Sequence, residues 1–326
     1  MNAMKPPFPP VPYDKTAVRP PYEDLPVEVR DDIAAHLGGA PIRVEVAGGG
    51  FTSGFAGTLT AANGRSLFVK AAGPQLPFVS NAYTQEAHIN PALPEGTPAP
   101  RLRFASQVHD WVVLGFEAVH GTAPRLPMTA HQVDLMLDAW ARAAEFLRHA
   151  PKLNDFQLPP MSVGVAEKLQ QFNEAAAGRL PLTMLPEPHQ ERIETLARLE
   201  RYVWDATESG GITHGDLRPD NMIVTDGQAW ICDWSWPMHG AAFFDTACFL
   251  AVARLGGHDS ERLFWRHPTA HNVEGWQLDA TLAAIAGYYL SSAQEPPIPD
   301  ASPYMRRHQR QCGLATLDWL AARRGW

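Results

Sequence analysis

The stretch ITHGDLRPDNMIVTDGQAWICDW, residues 212–234, places polar side chains at the ends of two short apolar runs. Asp216 and Asn221 precede the first run, and Asp233 closes the second run. An Asp-Gly pair separates the runs, and this pair is typical of a tight hairpin turn. The stretch therefore predicts a hairpin with strands over 222–224 and 230–233, which brings two carboxylates and an amide to one place.

Length and charge limit the class of protein. A chain of 326 residues exceeds the usual size of one compact domain, so two unequal lobes are expected. Hydrophobic residues make up 45% and charged residues 19% of the chain, which is an ordinary globular balance. The formal charge of −8, without a face dense in lysine and arginine, predicts no nucleic-acid partner. The acidic excess is compatible with a cationic small-molecule substrate but does not require one.

The cysteines and the apolar runs indicate the compartment. Cys232, Cys248 and Cys312 show no paired spacing, as expected for reduced thiols. The most apolar run, which begins at Ala241, is short and contains Asp245, so no membrane span is expected. The N-terminal residues lack the apolar core of a signal peptide. We therefore expect a cytoplasmic protein without a membrane partner, and the oligomeric state stays open.

Residues 40–119 carry the pattern of a small sheet. They follow residues 1–39, a Pro-rich arm and a leading helix in which apolar residues recur at helical spacing. We expect the arm, residues 1–22, to lie on the surface or to be disordered. Alternation and glycine turns predict strands over 43–47, 55–61 and 66–71, a short helix over 81–93, and two more strands that complete a five-stranded sheet.

Residues 120–326 differ in composition, and their patterns predict mostly helix. Helical spacing of apolar residues extends over 130–149, 190–209, 242–255, 277–291 and 304–323. The sequence therefore predicts an α+β protein with a small β-rich N-lobe and a larger, mostly helical C-lobe.

The motif H-G-D-x-x-x-x-N, from His214 to Asn221, followed by Asp233-Trp234, resembles the aminoglycoside phosphotransferase-like small-molecule kinases, which are relatives of the protein kinases. A glycine turn and a strand lysine ahead of the motif add to the resemblance, which spans roughly residues 44–255. The resemblance implies a bilobal protein-kinase-like fold that binds ATP between its lobes. It also implies ATP- and Mg²⁺-dependent transfer of the γ-phosphate to a hydroxyl of a small molecule, either an antibiotic such as an aminoglycoside or a metabolite.

The resemblance assigns roles to residues in and near the motif. Asp216 is the expected catalytic residue, which orients the acceptor hydroxyl and takes its proton. Asn221 and Asp233 are the expected magnesium ligands, since Mg²⁺ prefers a few hard oxygen ligands together with phosphate oxygens and water. Asp245 and His214 are expected to support the catalytic loop structurally. As isolated residues Asp and Asn also favour turns, but their combined spacing favours the functional interpretation.

Lys70 and Glu86 are expected to form an ion pair at the nucleotide phosphates. Lys70 lies in the otherwise apolar strand SLFVKAA, after a glycine-rich turn, where related kinases place a phosphate-binding lysine. Glu86, in the following helix, is expected to hold the lysine in place. The alternatives are a solvated edge lysine and a solvated helix glutamate.

The turn GGGFTSG, residues 48–54, and the segment GFEAVHG are expected to supply the other nucleotide contacts. Backbone N–H groups around Gly50, together with Ser53, are expected to contact phosphate oxygens, although a hairpin also needs glycine for its turn. The resemblance implies that backbone groups of Glu117 and Val119 pair with the adenine edge.

Two other classes of protein stay as alternatives. A nucleotide-binding pseudokinase or interaction module would use the fold without turnover, which the joint presence of the site residues disfavours. A protein kinase would need a peptide-docking segment, and the short stretch between Asp233 and Asp245 leaves little room for one. The acceptor stays open, because scattered helix acids are more often solvated than bound to amino groups. These acids are Glu167, Glu174, Asp259, Glu261 and Asp279.

Overall fold

The fold begins with a five-stranded antiparallel sheet and two helices. The computed structural model describes residues 11–148, 150, 153, 155–299 and 301–326, so the first ten residues of the predicted arm lie outside the described residues. Helix α1 (Val27–Leu37) precedes the sheet, and helix α2 (Pro77–Ala92) connects its third and fourth strands. The strands are β1 (Pro41–Val46), β2 (Phe55–Ala61), β3 (Ser66–Ala72), β4 (Leu102–Val108) and β5 (Trp111–Glu117).

The sheet confirms the predicted β-rich lobe. Its order is β1-β2-β3-β5-β4, and every neighbouring pair is antiparallel. Val29, Ile33 and Leu37 of α1 are buried in one cluster with Phe55 and Leu59 of β2. The helical spacing of these apolar residues therefore forms the face of α1 that packs on the sheet.

The rest of the chain is mostly helical, which confirms the predicted α+β class. Two short antiparallel strand pairs interrupt the helices: β6 (Ile212–Thr213) pairs with β9 (Met238–His239), and β7 (Met222–Val224) pairs with β8 (Ala229–Ile231). The helices are α3 (Ala130–Leu147), α4 (Met161–Gly164), α5 (Gln171–Ala176), α6 (Glu187–Gln190), α7 (Ile193–Glu200), α8 (Val203–Thr207), α9 (Phe243–Leu255), α10 (Ser260–Arg266), α11 (Gly275–Ala293) and α12 (Met305–Arg324). Across the described residues, none of the helices is long and apolar enough to cross a membrane.

The prediction of a single helix over 190–209 is wrong, because the helix is interrupted between α7 and α8. The buried Glu200 accepts hydrogen bonds from the backbone N–H groups of Phe172 and Asn173, at 3.1 and 2.8 Å. Arg201 donates from Nε to Oδ1 of Asn173 at 2.9 Å. These bonds tie the end of α7 to the start of α5, and the regular helix is interrupted at the next two residues, where Tyr202 has a ψ of 4°.

The strand predicted over 230–233 is also too long, since β8 ends at Ile231. Asp233 adopts a φ of +67°, in the left-handed region that a strand excludes. Aspartate visits this region more readily than most residues. The chain therefore leaves the strand path before Asp233, and the carboxylate belongs to the loop that follows.

Residues 11–22 are not the surface arm that the sequence predicts. Val11 and Tyr13 are each only 1% exposed and belong to the main hydrophobic core. The hydroxyl of Tyr13 is hydrogen-bonded to Nδ1 of His308 on α12, at 2.7 Å. Apolar residues between the prolines therefore anchor this segment to the helical lobe. The division into units 1–39, 40–119 and 120–326 stays a prediction.

Two isoleucines test how α1 packs on the sheet. Ile33→Ala removes a side chain that is 0% exposed, and we expect the free energy of unfolding to fall by about 2–4 kcal/mol. Ile42→Ala, at a side chain that is 73% exposed, is the matched control and should change it by less than about 0.5 kcal/mol. Urea unfolding measures both values, and equal effects would contradict the packing of α1 described above.

Candidate active site

A glycine holds the loop between β6 and β7 against the segment that follows Asp233. Gly215 has a φ of +81°, which other residues rarely adopt. A Cβ atom at this position would lie 2.1 Å from the backbone oxygen of Trp236. Only glycine allows this close approach, and the approach brings Asp216 towards Asp233.

Asn221 holds Asp216 directly. Its Nδ2 donates to the backbone oxygen of Asp216 at 2.9 Å and to the carboxylate Oδ2 at 3.0 Å. The backbone oxygen of Asn221 accepts a hydrogen bond from the N–H of Cys232 at 2.8 Å, next to Asp233. Burial raises the pKa of Asp216 to about 6, against the nearby Arg218 guanidinium, which lowers it. The hairpin therefore brings together the three polar residues that the sequence singles out.

Lys70 joins the sheet to this hairpin. Its Nζ lies 2.5 Å from Oε2 of Glu86 and 3.0 Å from Oδ1 of Asp233. Burial would lower the pKa of Lys70, but the two carboxylates outweigh burial and raise it, so the ammonium stays protonated. The same ammonium outweighs burial at Asp233 and lowers the pKa of that carboxyl. Lys70 is 8% exposed, so it is not the solvated edge lysine of the alternative interpretation.

Asp245 and His214 support the loop from beneath. The carboxylate of Asp245 accepts hydrogen bonds from the backbone N–H groups of His214 and Gly215, at 3.0 and 2.9 Å. Burial raises the pKa of Asp245 to about 7 and lowers the pKa of His214 to about 4. The neutral His214 ring donates from Nε2 to the backbone oxygen of Cys232 at 3.0 Å. Both side chains thus link the loop to neighbouring elements.

Arg218 is a site residue that the sequence interpretation missed. Its guanidinium pairs with a carboxylate oxygen of Asp216 and binds both oxygens of Asp220, each at 3.0 Å. The same group lies 5.5 Å from the centre of the Phe51 ring in the glycine turn. In the sequence, the aspartates two residues before and two residues after Arg218 could have indicated its role as their partner.

One cavity of about 1370 Å³ is lined by Lys70, Asp216 and Arg218. It extends from the sheet into the helical lobe, where Tyr288, Glu295 and Arg306 line it. Ser53 lies beside the part of the glycine turn that lines the cavity rather than in it. The other site residues that the sequence predicts all line the cavity: Gly50, Lys70, Glu86, Glu117, Val119, Asp216, Asn221 and Asp233.

The expected adenine-binding segment follows β5. The N–H of Glu117 donates to the backbone oxygen of Arg101 at 2.9 Å, so this N–H is not open to a nucleotide. The Glu117 side chain pairs with Arg103 at 2.7 Å. A contact with an adenine edge would therefore fall to the other backbone groups of Glu117 and Val119.

The small antiparallel sheet and the helical lobe, with the charged cavity between them, form a protein-kinase-like fold. A family model described as the phosphotransferase enzyme family matches residues 59–288. The chain belongs to this family and is a small-molecule kinase.

Solved structures share the fold. A spectinomycin phosphotransferase in complex with ADP and spectinomycin is 12% identical, with a TM-score of 0.62 over 92% of this chain and 98% of that chain. A choline/ethanolamine kinase family protein from Mesorhizobium loti is 15% identical, with a TM-score of 0.53 over 90% and 95%. A macrolide 2′-phosphotransferase from Brachybacterium faecium is 16% identical, with a TM-score of 0.52 over 87% and 96%. A search of curated proteins finds no match.

Gly215 provides a test of the loop geometry, with Gly178 as a matched control. Both glycines have positive φ, but a Cβ at Gly178 would meet nothing within 4 Å. We expect Gly178→Ala to lower the free energy of unfolding by about 1 kcal/mol, the cost of the left-handed backbone alone. Gly215→Ala should cost about 3 kcal/mol or more, because the methyl group also meets a backbone oxygen. Similar values in urea unfolding would show that the loop does not approach Trp236 as described.

Proposed function

We propose that the protein transfers the γ-phosphoryl group of ATP to a hydroxyl of a small molecule and depends on Mg²⁺. The observation that carries this proposal is the arrangement of Lys70, which binds Asp233 while Asn221 binds Asp216 in the same cavity. Phosphoryl transfer needs a cation at the phosphates, metal ligands and a group that orients the nucleophile. The cavity contains residues suited to each of these tasks.

The donor atoms fit a magnesium ion. Asn221 uses its amide nitrogen on Asp216, which leaves the side-chain oxygen as its ligand atom. The Asp233 side chain is 40% exposed, and its lowered pKa keeps it charged. One amide oxygen and one carboxylate are the kind of sparse oxygen set that Mg²⁺ uses beside phosphate oxygens. A bound Mg²⁺ would neutralise charge on the triphosphate, and Asn221 and Asp233 would hold it.

Asp216 would act on the acceptor. Its carboxylate would accept a hydrogen bond from the attacking hydroxyl and receive the proton as the bond to phosphorus forms. The Asn221 amide and the Arg218 guanidinium fix the orientation of this carboxylate before any substrate binds. In a loose transition state such alignment contributes more than basicity, and a pKa of about 6 leaves Asp216 ionised at neutral pH.

The nucleotide would lie between the sheet and the hairpin. Lys70, positioned by Glu86, would contact the phosphates, and the backbone around Gly50, next to Ser53, would cover them. Backbone groups of Glu117 and Val119 would pair with the adenine edge. The neighbour bound to ADP has the same fold at low identity, which supports a nucleotide in this cleft. A cytoplasmic location, where ATP is supplied, is part of the proposal.

The acceptor would enter from the helical lobe. Of the five acids that the sequence suggests as acceptor ligands, four do not line the cavity. Glu174 pairs with Arg179, and Asp259 caps α10. Glu261 and Asp279 both pair with Arg323. Glu167 lines the cavity. The similar structures carry names of spectinomycin, choline and macrolide kinases, so the acceptor is proposed only as a hydroxyl-bearing antibiotic or metabolite.

Asp216→Asn tests the catalytic role. We expect acceptor-dependent ADP release to fall by about 10²- to 10⁴-fold, whereas Mg-ATP should still raise the melting temperature. Asp226→Asn, in the exposed hairpin turn, is the matched control and should keep wild-type activity. A panel of aminoglycosides, macrolides, amino alcohols and sugars supplies the acceptors.

The result separates the proposal from its alternative. Turnover that survives in Asp216→Asn would remove Asp216 from the catalytic role. Stabilisation by Mg-ATP without turnover of any acceptor would favour the pseudokinase or interaction module. No response to Mg-ATP in the wild-type protein would refute the proposed nucleotide site.

A double substitution separates the contribution of Lys70 to stability from its contribution to nucleotide binding. Lys70→Met should lower the free energy of unfolding by about 3 kcal/mol, because it leaves Glu86 buried without its partner, and should weaken Mg-ATP binding. Adding Glu86→Gln should restore part of the stability but not Mg-ATP binding, as measured by urea unfolding and calorimetry. Wild-type affinity in the double variant would show that Lys70 serves stability alone.

A further inference from the structure

Arg19, before α1, donates hydrogen bonds to three backbone oxygens in and next to the glycine turn. Its Nε donates to the backbone oxygen of Ala47 at 3.2 Å, Nη2 to that of Gly49 at 3.0 Å, and Nη1 to that of Gly54 at 2.6 Å. These oxygens lie on both sides of the turn. A single guanidinium therefore closes the turn at its base, and it lines the same cavity as Lys70.

The segment from Tyr13 to Arg19, called the strap below, also touches the turn through its backbone. The N–H of Ala17 donates to the oxygen of Gly48 at 2.8 Å. A Cβ at Gly48 would lie 2.3 Å from the oxygen of Asp14, and a Cβ at Gly49 would lie 2.8 Å from the oxygen of Tyr13. The backbone of the strap thus lies so close to the turn that both positions require glycine.

The other end of the strap is fixed to the helical lobe. Tyr13 is hydrogen-bonded to His308, and the hydroxyl of Ser302 donates to the backbone oxygen of Thr16 at 2.6 Å. Asp14 pairs with Arg125 at 3.0 Å. The strap therefore connects the glycine turn of one lobe to α12 and its neighbours in the other lobe.

The tip of the turn is held as well. Phe51 is 8% exposed, and its ring lies 4.8 Å from the ring of His308 and 6.4 Å from that of Tyr13. Its backbone oxygen accepts a hydrogen bond from the N–H of Ser302 at 3.2 Å. The guanidinium of Arg218, which also binds Asp216, lies 5.5 Å from the centre of the Phe51 ring. The turn is thus ordered by contacts at its base and at its tip.

We propose that the strap orders the glycine turn for the nucleotide and that Arg19 is a positioning residue of the nucleotide site. This inference rests on the proposed function. Unpaired backbone oxygens on the turn would repel a triphosphate, and Arg19 gives three backbone oxygens there a cationic partner. A glycine-rich turn also has much conformational freedom to lose when it closes on a ligand. The strap removes both penalties before the nucleotide binds.

Arg19→Ala tests the inference through nucleotide affinity. We expect the Kd for Mg-ATP, measured by calorimetry, to rise about tenfold, with kcat at saturating Mg-ATP and the acceptor KM changed less than about twofold. Arg19→Lys should not restore affinity, because one ammonium cannot span three oxygens in a fixed fork. Arg65→Ala, at an exposed arginine in the turn between β2 and β3, is the matched control and should bind Mg-ATP like the wild-type protein.

A second measurement distinguishes positioning from stability. Hydrogen exchange in Arg19→Ala should accelerate over residues 48–54 and stay unchanged in β7 and β8. Ser302→Ala loosens the far end of the strap and should raise the Kd about twofold to threefold even if Arg19→Ala does not fold. If Arg19→Ala folds and binds Mg-ATP with wild-type affinity, the inference is overturned and the proposed function is not. If Arg19→Ala does not fold, wild-type affinity in Ser302→Ala has the same meaning. A wild-type protein that does not bind Mg-ATP overturns the inference together with the proposed function.

Discussion

The ammonium of Lys70 is the charge on which the two halves of the molecule depend. It comes from the middle of the sheet, and it pairs with Glu86 of α2 and with Asp233 of the loop after β8. A charge this deeply buried is tolerated only when partners of opposite charge surround it. The sheet and the hairpin must therefore meet at Lys70. Elsewhere the cavity separates them, and Lys70, Glu86 and Asp233, which this contact positions, line that cavity.

Local patterns were sufficient to predict the sheet and the hairpin formed by β7 and β8. The bounds of β2 were correct because alternation and glycine turns mark both of its ends, and β7 was correct because an Asp-Gly turn follows it. The long helix over 190–209 failed because its apolar spacing continues through the break, whereas the bonds at Glu200 come from a distant segment. The end of β8 failed because a positive φ at Asp233 leaves no mark in the apolar pattern.

The candidate site shows the same difference between residues marked by local sequence patterns and residues whose contacts come from distant segments. Lys70, Asp216, Asn221 and Asp233 could be proposed because their motif and spacing resemble a known family of kinases, and phosphoryl transfer gives each of these chemical types a task. Arg19 and Phe51 could not be proposed. Their partners are brought to them by the fold alone, and neither an arginine in a Pro-rich segment nor a phenylalanine in a glycine turn indicates its partner.

The pairing of charges explains how acids can be concentrated in one cavity before any ligand binds. Asp233 is matched by Lys70, and Asp216 and Asp220 are matched by Arg218. Without these cations the carboxylates would repel one another, and each would tend to take up a proton. With them, the carboxylates are held in fixed positions. The Phe51 ring lies against the same arginine, so the charge pairs of the helical lobe also help to fix the turn that would cover the nucleotide.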